Sequence, residues 1–300
     1  MGKVSIIIPA RGEKSENLFR TLESIQDNAT GDYEVIIGFN GGETFINPRL
    51  DFPGLKNLRT ITFPENIGIK GNINTLALMA TGKYLLKLDA HCSVSKGFDE
   101  ILKADMKPDW VVTPRFAVLN GKTWEWQDDR FYDYFYLSCP FTDKKGLRFK
   151  AGGHWPERTL EKLYTIIDET PQIHGSCWFM TKDRFFEMGG FPLQDPYGHG
   201  QEPLWLALKN WLMGGKVMVN KNVWYAHLHQ DSKDRGYPEN REETERTYNL
   251  TAKYFLNNEG HFKHDFTWFV EKFWPMPSWP ENWEELYGQW LVNSIGAKNG

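Results

Sequence analysis

The chain has 300 residues, of which 40% are hydrophobic and 25% charged, enough apolar material for one large α/β domain or a domain with an appendage. The formal net charge of −4 provides no global basic field, which argues weakly against a nucleic-acid or anionic-membrane partner. No apolar run approaches the length that crosses a bilayer, and the first residues lead directly into a strand pattern without a signal-peptide layout.

The three cysteines, Cys92, Cys139 and Cys177, are too few and too widely spaced for a disulfide framework or a zinc motif. A reducing compartment is the simplest inference, and we expect a cytoplasmic protein. Thirteen tryptophans make the chain rich in flat apolar faces with a polar handle. Sugar rings and bases both stack on such faces, although most of these residues are expected to fill the core.

The chain opens with a strand, a helix and a second strand. Lys3–Pro9 reads as the first strand, which the proline ends. A helix is predicted over about Glu16–Gln26, with Ser15 as its N-cap. Tyr33–Phe39 reads as the second strand and is followed by Asn40, which begins a glycine-rich turn.

The next segment predicts a strand, a loop and a helix ahead of a buried strand. Leu58–Phe63 reads as the strand, Asn66 and Gly68 as the loop, and Asn72–Ala80 as the helix. A buried strand follows and ends at Leu88.

The most informative stretch is Lys83–Cys92, where an apolar run ends abruptly in Asp89, Ala90 and His91. Polar groups at the carboxyl end of such a strand lie at the crevice where α/β sheets bind ligands. The two residues are two apart, so on a continuing strand Asp89 and His91 would point the same way and offer a divalent metal one oxygen and one nitrogen. The alternative is an aspartate that caps a turn beside an exposed histidine.

The middle of the chain is less regular. Gly97–Lys103 predicts a helix and Trp110–Arg115 a strand. Residues 120–150 are polar, aromatic and irregular, and they read as an insertion or a packed loop. Ala151–Arg158 is rich in glycine and aromatics and reads as a mobile lid or a simple turn.

Three further elements complete the regular part of the chain. Gln172–Met180 contains a strand with small residues, followed by a short helix and a Gly-Gly-Phe sequence. A helix begins near Glu202 and ends before the glycine pair at 214–215. Lys216–Val223 reads as an edge strand, with two histidines just after it.

The last segment begins with a charged helix, predicted over Glu239–Phe255. The residues after it are rich in tryptophan and proline and show no regular period. We interpret 236–300 as an appendage that packs on the preceding domain.

Taken in order over residues 3–230, these motifs resemble the GT-A glycosyltransferases of the family 2 type. The family has an Asn/Gly loop, a helix, an Ala-x-Gly sequence and a strand that ends in Asp-x-Asp. Here the second acid is His91, and Asp-x-His is similar to the metal motif of the polypeptide N-acetylgalactosaminyltransferases. The segment 174–191 resembles the second signature of the family. Tyr197–Leu208 resembles its third, which holds an acid at a helix start.

The resemblance implies a GT-A fold, a mixed sheet flanked by helices. The catalytic domain would span 1–235, with a donor half over about 1–115 and an acceptor half over about 116–235. If 120–150 is an insertion, it would lie on the acceptor side, and the appendage 236–300 would pack on the catalytic domain and shape the acceptor site. It also implies an Mn²⁺ or Mg²⁺ ion bound by Asp89, His91 and His227, with His229 as a rival to the last.

The resemblance implies further roles. The donor-binding residues would be Pro9, Arg11, Glu13, Asn40, Asn66, Gly68, Lys70, Asn74, Asp89 and Ala90. The catalytic carboxylate would be Glu202, and the other substrate-binding residues would be Gly175, Ser176, Trp178, Gln201 and His229.

Several of these roles have plain alternatives. Arg11 could approach the pyrophosphate or lie in solvent, and the same holds for Lys70. Asn40 could bind a base edge or only form a turn, and the usual acidic pair is missing there. Glu202 lies in a triplet that fits neither the inverting nor the retaining pattern. It would be the base of an inverting reaction, or a positioning group where configuration is retained.

The implied reaction moves a sugar from a nucleotide-diphosphate donor, most simply a UDP-sugar, to a hydroxyl of a soluble acceptor. That acceptor would be a glycan precursor, a protein side chain or a hydroxymethylated base in DNA. One rival is a nucleotidyltransferase, although the loop 9–13 is too poor in glycine for that class. Another is an inactive carbohydrate-binding protein, against which the retention of Asp89, His91 and Glu202 argues.

Overall fold

The structure is a computed structural model, and it describes residues 2–42, 51–55, 57–127, 130–193, 200–230, 236–237 and 240–296. The strands are β1 (Val4–Ala10), β2 (Tyr33–Asn40), β3 (Leu58–Phe63), β4 (Tyr84–Leu88), β5 (Cys92–Val94), β6 (Trp110–Val118), β7 (Phe135–Leu137), β8 (Ala151–His154), β9 (Ile167–Glu169), β10 (Cys177–Thr181) and β11 (Lys216–His227). The helices are α1 (Ser15–Asn28), α2 (Gly68–Met79), α3 (Phe98–Ala104), α4 (Pro156–Glu161), α5 (Lys182–Glu187), α6 (Glu202–Leu212), α7 (Arg241–Leu256), α8 (Phe266–Phe273) and α9 (Trp283–Gly296).

Nine of the described strands form one mixed sheet, in the order β3-β2-β1-β4-β10-β6-β11-β5, with β9 also paired to β11. Strands β1 to β4 run parallel, β10 runs antiparallel to β4 and β6, and β11 runs parallel to β6. The carboxyl ends of β1, β4, β6 and β11 therefore meet at one edge of the sheet. The predicted mixed sheet flanked by helices is confirmed.

Two hydrophobic clusters cover the two faces of the sheet. Because side chains alternate along a strand, Ile6 and Ile8 enter one cluster and Ile7 enters the other. Helices α1 and α3 pack on the first face, and α2, α5, α6, α7 and α8 on the second. The second cluster reaches Trp283 in α9.

Strand β11 is not the edge strand that its sequence predicted. Residues Met218–Asn220 pair with β9 and Tyr225–His227 pair with β5, while β6 lies along the opposite side. The strand is also longer than predicted, so His227 is its last residue rather than a loop residue beyond it.

Two helix starts differ from their predictions. Ser15 is inside α1, and Lys14 occupies the N-cap position, where its carbonyl accepts from the amides of Asn17 and Leu18. Helix α2 begins at Gly68 instead of Asn72, because the side chain of Asn66 accepts from the amide of Gly68 and holds the turn that starts the helix.

The aromatic segments contain more regular structure than predicted. β7 and β8 pair in a small second sheet, and α4 follows directly, in the segments expected to be loop, lid or turn. Beyond α7, α8 begins at the capping residue Asp265, whose side chain accepts from the amide of Trp268. The expectation of no regular period was wrong for α8, whose buried residues Phe266, Phe269, Val270 and Phe273 recur at helical spacing. The division of the chain at residue 235 stays a prediction.

The three cysteines are buried and free. Within the ranges given above, the helices are too short or too polar to traverse a bilayer. The cytoplasmic location stays a prediction.

A buried carboxylate ties β2 to its neighbours. Glu34 Oε1 accepts from Ser5 Oγ at 2.6 Å and from the backbone amide of Thr81 at 2.6 Å, while Oε2 accepts from Arg59 Nη2 at 2.7 Å. Burial alone would raise the pKa of Glu34, but the hydrogen bonds from Ser5, Thr81 and Arg59 outweigh it and lower the pKa to about 2.

Candidate active site

A cavity of about 650 Å³ opens at the edge where the parallel strands end. Its walls come from the end of β1, the α2 start, the turn after β4, the end of β6, the segment before β10, the α6 start and the end of β11. Most of the predicted site residues line it, namely Pro9, Arg11, Glu13, Asn40, Gly68, Asp89, Ala90, His91, Gly175, Ser176, Trp178, Glu202, His227 and His229.

Three candidate metal ligands converge on one wall of this cavity. One ligand atom from each of Asp89, His91 and His227 lies within 4.8 Å of the others. The expectation of a continuing strand was wrong, since β4 ends at Leu88 and a turn leads into β5 at Cys92. That turn points both side chains toward the end of β11.

The donor set fits a divalent metal. His227 is buried, and in the described part of the chain neither ring nitrogen has a hydrogen-bond partner, although Nε2 lies 3.3 Å from Asp89 Oδ2. Burial lowers the pKa of His227 to about 4, against the opposing effect of Asp89, so the ring is neutral near pH 7. Burial would raise the pKa of Asp89, but the charge of Lys87 holds it below its usual range. A neutral imidazole and an ionised carboxylate are the forms that bind Mn²⁺.

Glu13, which was predicted to bind the donor, contacts His91. Its Oε2 lies 2.6 Å from His91 Nδ1, and its Oε1 accepts from Asn17 at 2.9 Å and from Gln230 at 3.2 Å. Burial would raise the pKa of Glu13, but the hydrogen bond to His91 lowers it below its usual range. This contact orients the imidazole and leaves its Nε2 for a metal, as carboxylates do beside metal-binding histidines.

Lys87 is a buried cation that the sequence analysis did not assign to the site. Its ammonium contacts Asp89 Oδ1 and donates to the carbonyl of Gly175 at 2.7 Å. It also lines the cavity. The available signal was one charged residue inside an otherwise apolar strand, Tyr84–Leu88.

A histidine next to the candidate metal ligands was also missed. His174 Nδ1 lies 2.6 Å from Ser176 Oγ, which is 2.9 Å from the hydroxyl of Tyr225. The ring stacks on Phe116 with centroids 4.6 Å apart. This arrangement fixes His174 beside His227, at a centroid distance of 5.5 Å.

Glu202 begins α6 and is 7% exposed. Its Oε2 accepts from the amide of Gly200 at 3.1 Å, and its Oε1 has no hydrogen-bond partner among the described residues. A buried carboxylate oxygen without a partner, on a cavity wall, is placed to accept a hydrogen bond from a substrate hydroxyl. Residues Tyr197–His199 of the same motif lie outside the described residues.

Four predicted site residues are not among the side chains that line this cavity in the described chain: Asn66, Lys70, Asn74 and Gln201. Asn74 exchanges two hydrogen bonds with the backbone of Phe191, at 2.9 and 3.0 Å, so it joins α2 to the segment after α5. Lys70 is 2% exposed on α2. Gln201 donates to the carbonyl of Phe149 at 3.3 Å. The contacts of Asn74 and Gln201 indicate structural roles.

Asn40 and Arg11 line the cavity but have protein partners. Asn40 donates to Asn66 and accepts from the amide of Ile67, both at 2.8 Å, so its amide also builds the turn before α2. The guanidinium of Arg11 lies 4.5 Å from the ring centroid of Tyr237.

The two candidate histidines at the end of β11 differ in their position relative to Asp89 and His91. Among the described residues, the group of possible ligands contains His227 and leaves out His229. The ring of His229 lies 5.0 Å from that of His227, at 88°, and packs edge-on against Phe116. His229 therefore shapes the cavity beside the metal ligands.

Comparison with known sequences identifies a family. The family model described as Glycosyl transferase family 2 matches residues 5–182. A putative polypeptide N-acetylgalactosaminyltransferase 13 of Drosophila melanogaster is 25% identical over 241 residues, 72% of this chain and 40% of that protein. N-acetylgalactosaminyltransferase 7 of Rattus norvegicus is 22% identical over 99% of this chain and 52% of its own length. The chain thus spans about half the length of such relatives or less.

Solved structures show the same fold. GalNAc-T7 with UDP, GalNAc and Mn²⁺ matches with a TM-score of 0.69 at 19% identity, over 90% of this chain and 56% of that one. S. aureus TarS 1-349 in complex with UDP-GlcNAc matches with a TM-score of 0.59 at 14% identity, over 89% and 69%. The mixed sheet is therefore a GT-A fold.

Proposed function

The chain belongs to glycosyl transferase family 2, and on this basis we propose that it transfers a sugar from a nucleotide-diphosphate donor to a hydroxyl group. The observation that carries the proposal is the convergence of Asp89, His91 and His227 beside the β1 loop, in one cavity with Glu202. The UDP and Mn²⁺ in the GalNAc-T7 structure support a UDP-sugar and a manganese ion here.

The residues divide the chemistry between two walls of the cavity. Asp89, His91 and His227 would hold the metal, which as a Lewis acid supplies stabilisation for the charge on the leaving diphosphate. Glu13 keeps His91 in the metal-binding orientation. Arg11, held against Tyr237, adds a positive charge near the β1 end.

Glu202 acts on the acceptor. Its free Oε1 accepts a hydrogen bond from the attacking hydroxyl and orients it. In an inverting reaction the carboxylate also takes the hydroxyl proton as a general base. With retention of configuration it remains a positioning group, and the anomeric form of the product distinguishes the two.

The acceptor is a molecule with a free hydroxyl. The names of the relatives favour a protein side chain. A glycan precursor or a hydroxymethylated base in DNA are the alternatives. A panel of peptides, oligosaccharides and modified oligonucleotides, offered with the donor that the protein hydrolyses, identifies which of these accepts sugar.

Hydrolysis of nucleotide-sugars tests whether the protein binds and activates a donor. The protein is incubated with UDP-, GDP-, CMP- and dTDP-sugars, with Mn²⁺ or with chelator, and released nucleotide is measured. We expect metal-dependent release from a UDP-sugar, abolished in Asp89→Asn. Retained release in chelator would overturn the metal assignment. No release from any donor, together with no metal-dependent nucleotide binding, would overturn the proposed function.

A further inference from the structure

Lys87 has an unusual position for a lysine. It lies in β4, in the interior of the sheet between β1 and β10, and is 4% exposed. A buried ammonium is costly unless it is paired and hydrogen-bonded. Here the contact with Asp89 Oδ1 and the hydrogen bond to the Gly175 carbonyl supply the pairing. Both partners belong to the cavity wall.

The partner of this lysine is the carboxylate of the metal-binding group. Asp89 is the one acid among the three candidate ligands, since the other two are histidines. Lys87 contacts one oxygen of that carboxylate and offsets its charge. The Glu13 carboxylate is one step further out, since its oxygens are engaged by His91, Asn17 and Gln230. With Lys87 present, the two carboxylates and the ammonium together offer a divalent cation one net negative charge, where the carboxylates alone would offer two.

The diphosphate of a donor would supply the negative charge that Lys87 offsets. An ammonium has three N–H donors, of which Asp89 and Gly175 take two. The third can reach a phosphate oxygen, because Lys87 lines the cavity. A bound diphosphate would therefore neutralise Lys87 and contribute anionic oxygens to the metal.

We propose that Lys87 is a fixed cation of the donor site, which holds one oxygen of Asp89 and makes metal binding depend on the diphosphate of the donor. This rests on the proposed function. The free protein binds Mn²⁺ weakly, and the metal and the nucleotide bind together. By linkage, each raises the affinity of the other by the same factor.

The test measures Mn²⁺ binding rather than activity. Free Mn²⁺ is followed by electron paramagnetic resonance during titration of the wild type, Lys87→Met and Lys182→Met, each with and without UDP. Methionine keeps the length of the side chain and removes its charge. Lys182 serves as the matched control. Its ammonium also donates to a backbone carbonyl, that of Ala80, but Lys182 is not among the residues that line the cavity.

The wild type and the Lys182→Met control should bind Mn²⁺ at least about 10-fold more tightly with UDP than without it, within the usual range of coupling between two ligands. In Lys87→Met, Mn²⁺ affinity without UDP should rise by about 10-fold, and the gain from UDP should shrink by a similar factor. A lysine with only a structural role would instead leave Mn²⁺ binding unchanged or weaken it.

Two results would overturn the proposal: equal Mn²⁺ affinity of the wild type with and without UDP while UDP binds, or no gain in Lys87→Met. Should Lys87→Met not fold, Lys87→Arg keeps the charge and must retain the UDP dependence, and its loss there would be equally fatal. Failure of the proposed function looks different, since UDP would then show no binding by calorimetry at any metal concentration.

Discussion

Replacement of Glu34 by Gln should destabilise the fold, and the loss should depend on pH. The lowered pKa means that the ionised form is favoured in the folded state by about 2.5 pKa units, from the ordinary 4.5 to about 2. At about 1.36 kcal/mol per unit, Glu34 contributes about 3 kcal/mol at pH 7. Because the folded pKa is lowered, this contribution is complete above pH 4.5 and disappears as the pH falls toward 2.

Urea unfolding followed by tryptophan fluorescence measures the difference. Between the wild type and Glu34→Gln, the free energy of unfolding should differ by about 3 kcal/mol at pH 7 and by about 2 kcal/mol at pH 3.5. The exposed Glu65, replaced in the same way, is the control and should cost under about 0.5 kcal/mol at both values. A gap for Glu34→Gln that stays constant between pH 7 and pH 3.5 would refute the reasoning.

Three further results are expected. Glu202→Gln should lower sugar transfer by at least about 100-fold in a coupled nucleotide-release assay, with UDP binding by calorimetry unchanged; equal loss of both would contradict an acceptor-side role. His227→Ala should weaken Mn²⁺ binding at saturating UDP by at least about 10-fold, whereas His229→Ala should change it by less than about 3-fold, and the reverse order would exchange their roles. Asn74→Ala should lower the free energy of unfolding by about 1–2 kcal/mol through the lost bonds to Phe191, without altering donor affinity in the folded protein.

The sequence predicted those parts of the site whose residues are close together in the chain. An apolar run that ends in Asp89 and His91 indicates a strand end at a crevice. The resemblance to the family, rather than the local pattern, placed His227 with them and left His229 as a rival. The turn at 89–91 was not predicted, because three residues are too few for the alternation of side chains to distinguish a continuing strand from a strand that ends in a turn. The group nevertheless formed, since the side chains converge from the turn as they would from a strand.

Contacts between distant segments were not predictable from local pattern. The hydrogen bond between Glu13 and Gln230 joins positions 217 residues apart. Asn74 has a side-chain amide of the kind that binds a donor. Only the fold shows that this amide is already hydrogen-bonded to the backbone of Phe191. The period of α8, by contrast, was present in the sequence and was overlooked, since Phe266, Phe269 and Phe273 recur at helical spacing and form its buried side.

The core that joins Ile7 to Trp283 has a consequence for synthesis of the chain. The first strand leaves the ribosome long before α9 does, so the second face of the sheet remains incomplete during most of translation. A nascent chain stopped at residue 235 would leave the apolar side of α6 without α7 and α8, including Leu204 and Trp211. Such an intermediate is the state in which this protein would need a chaperone.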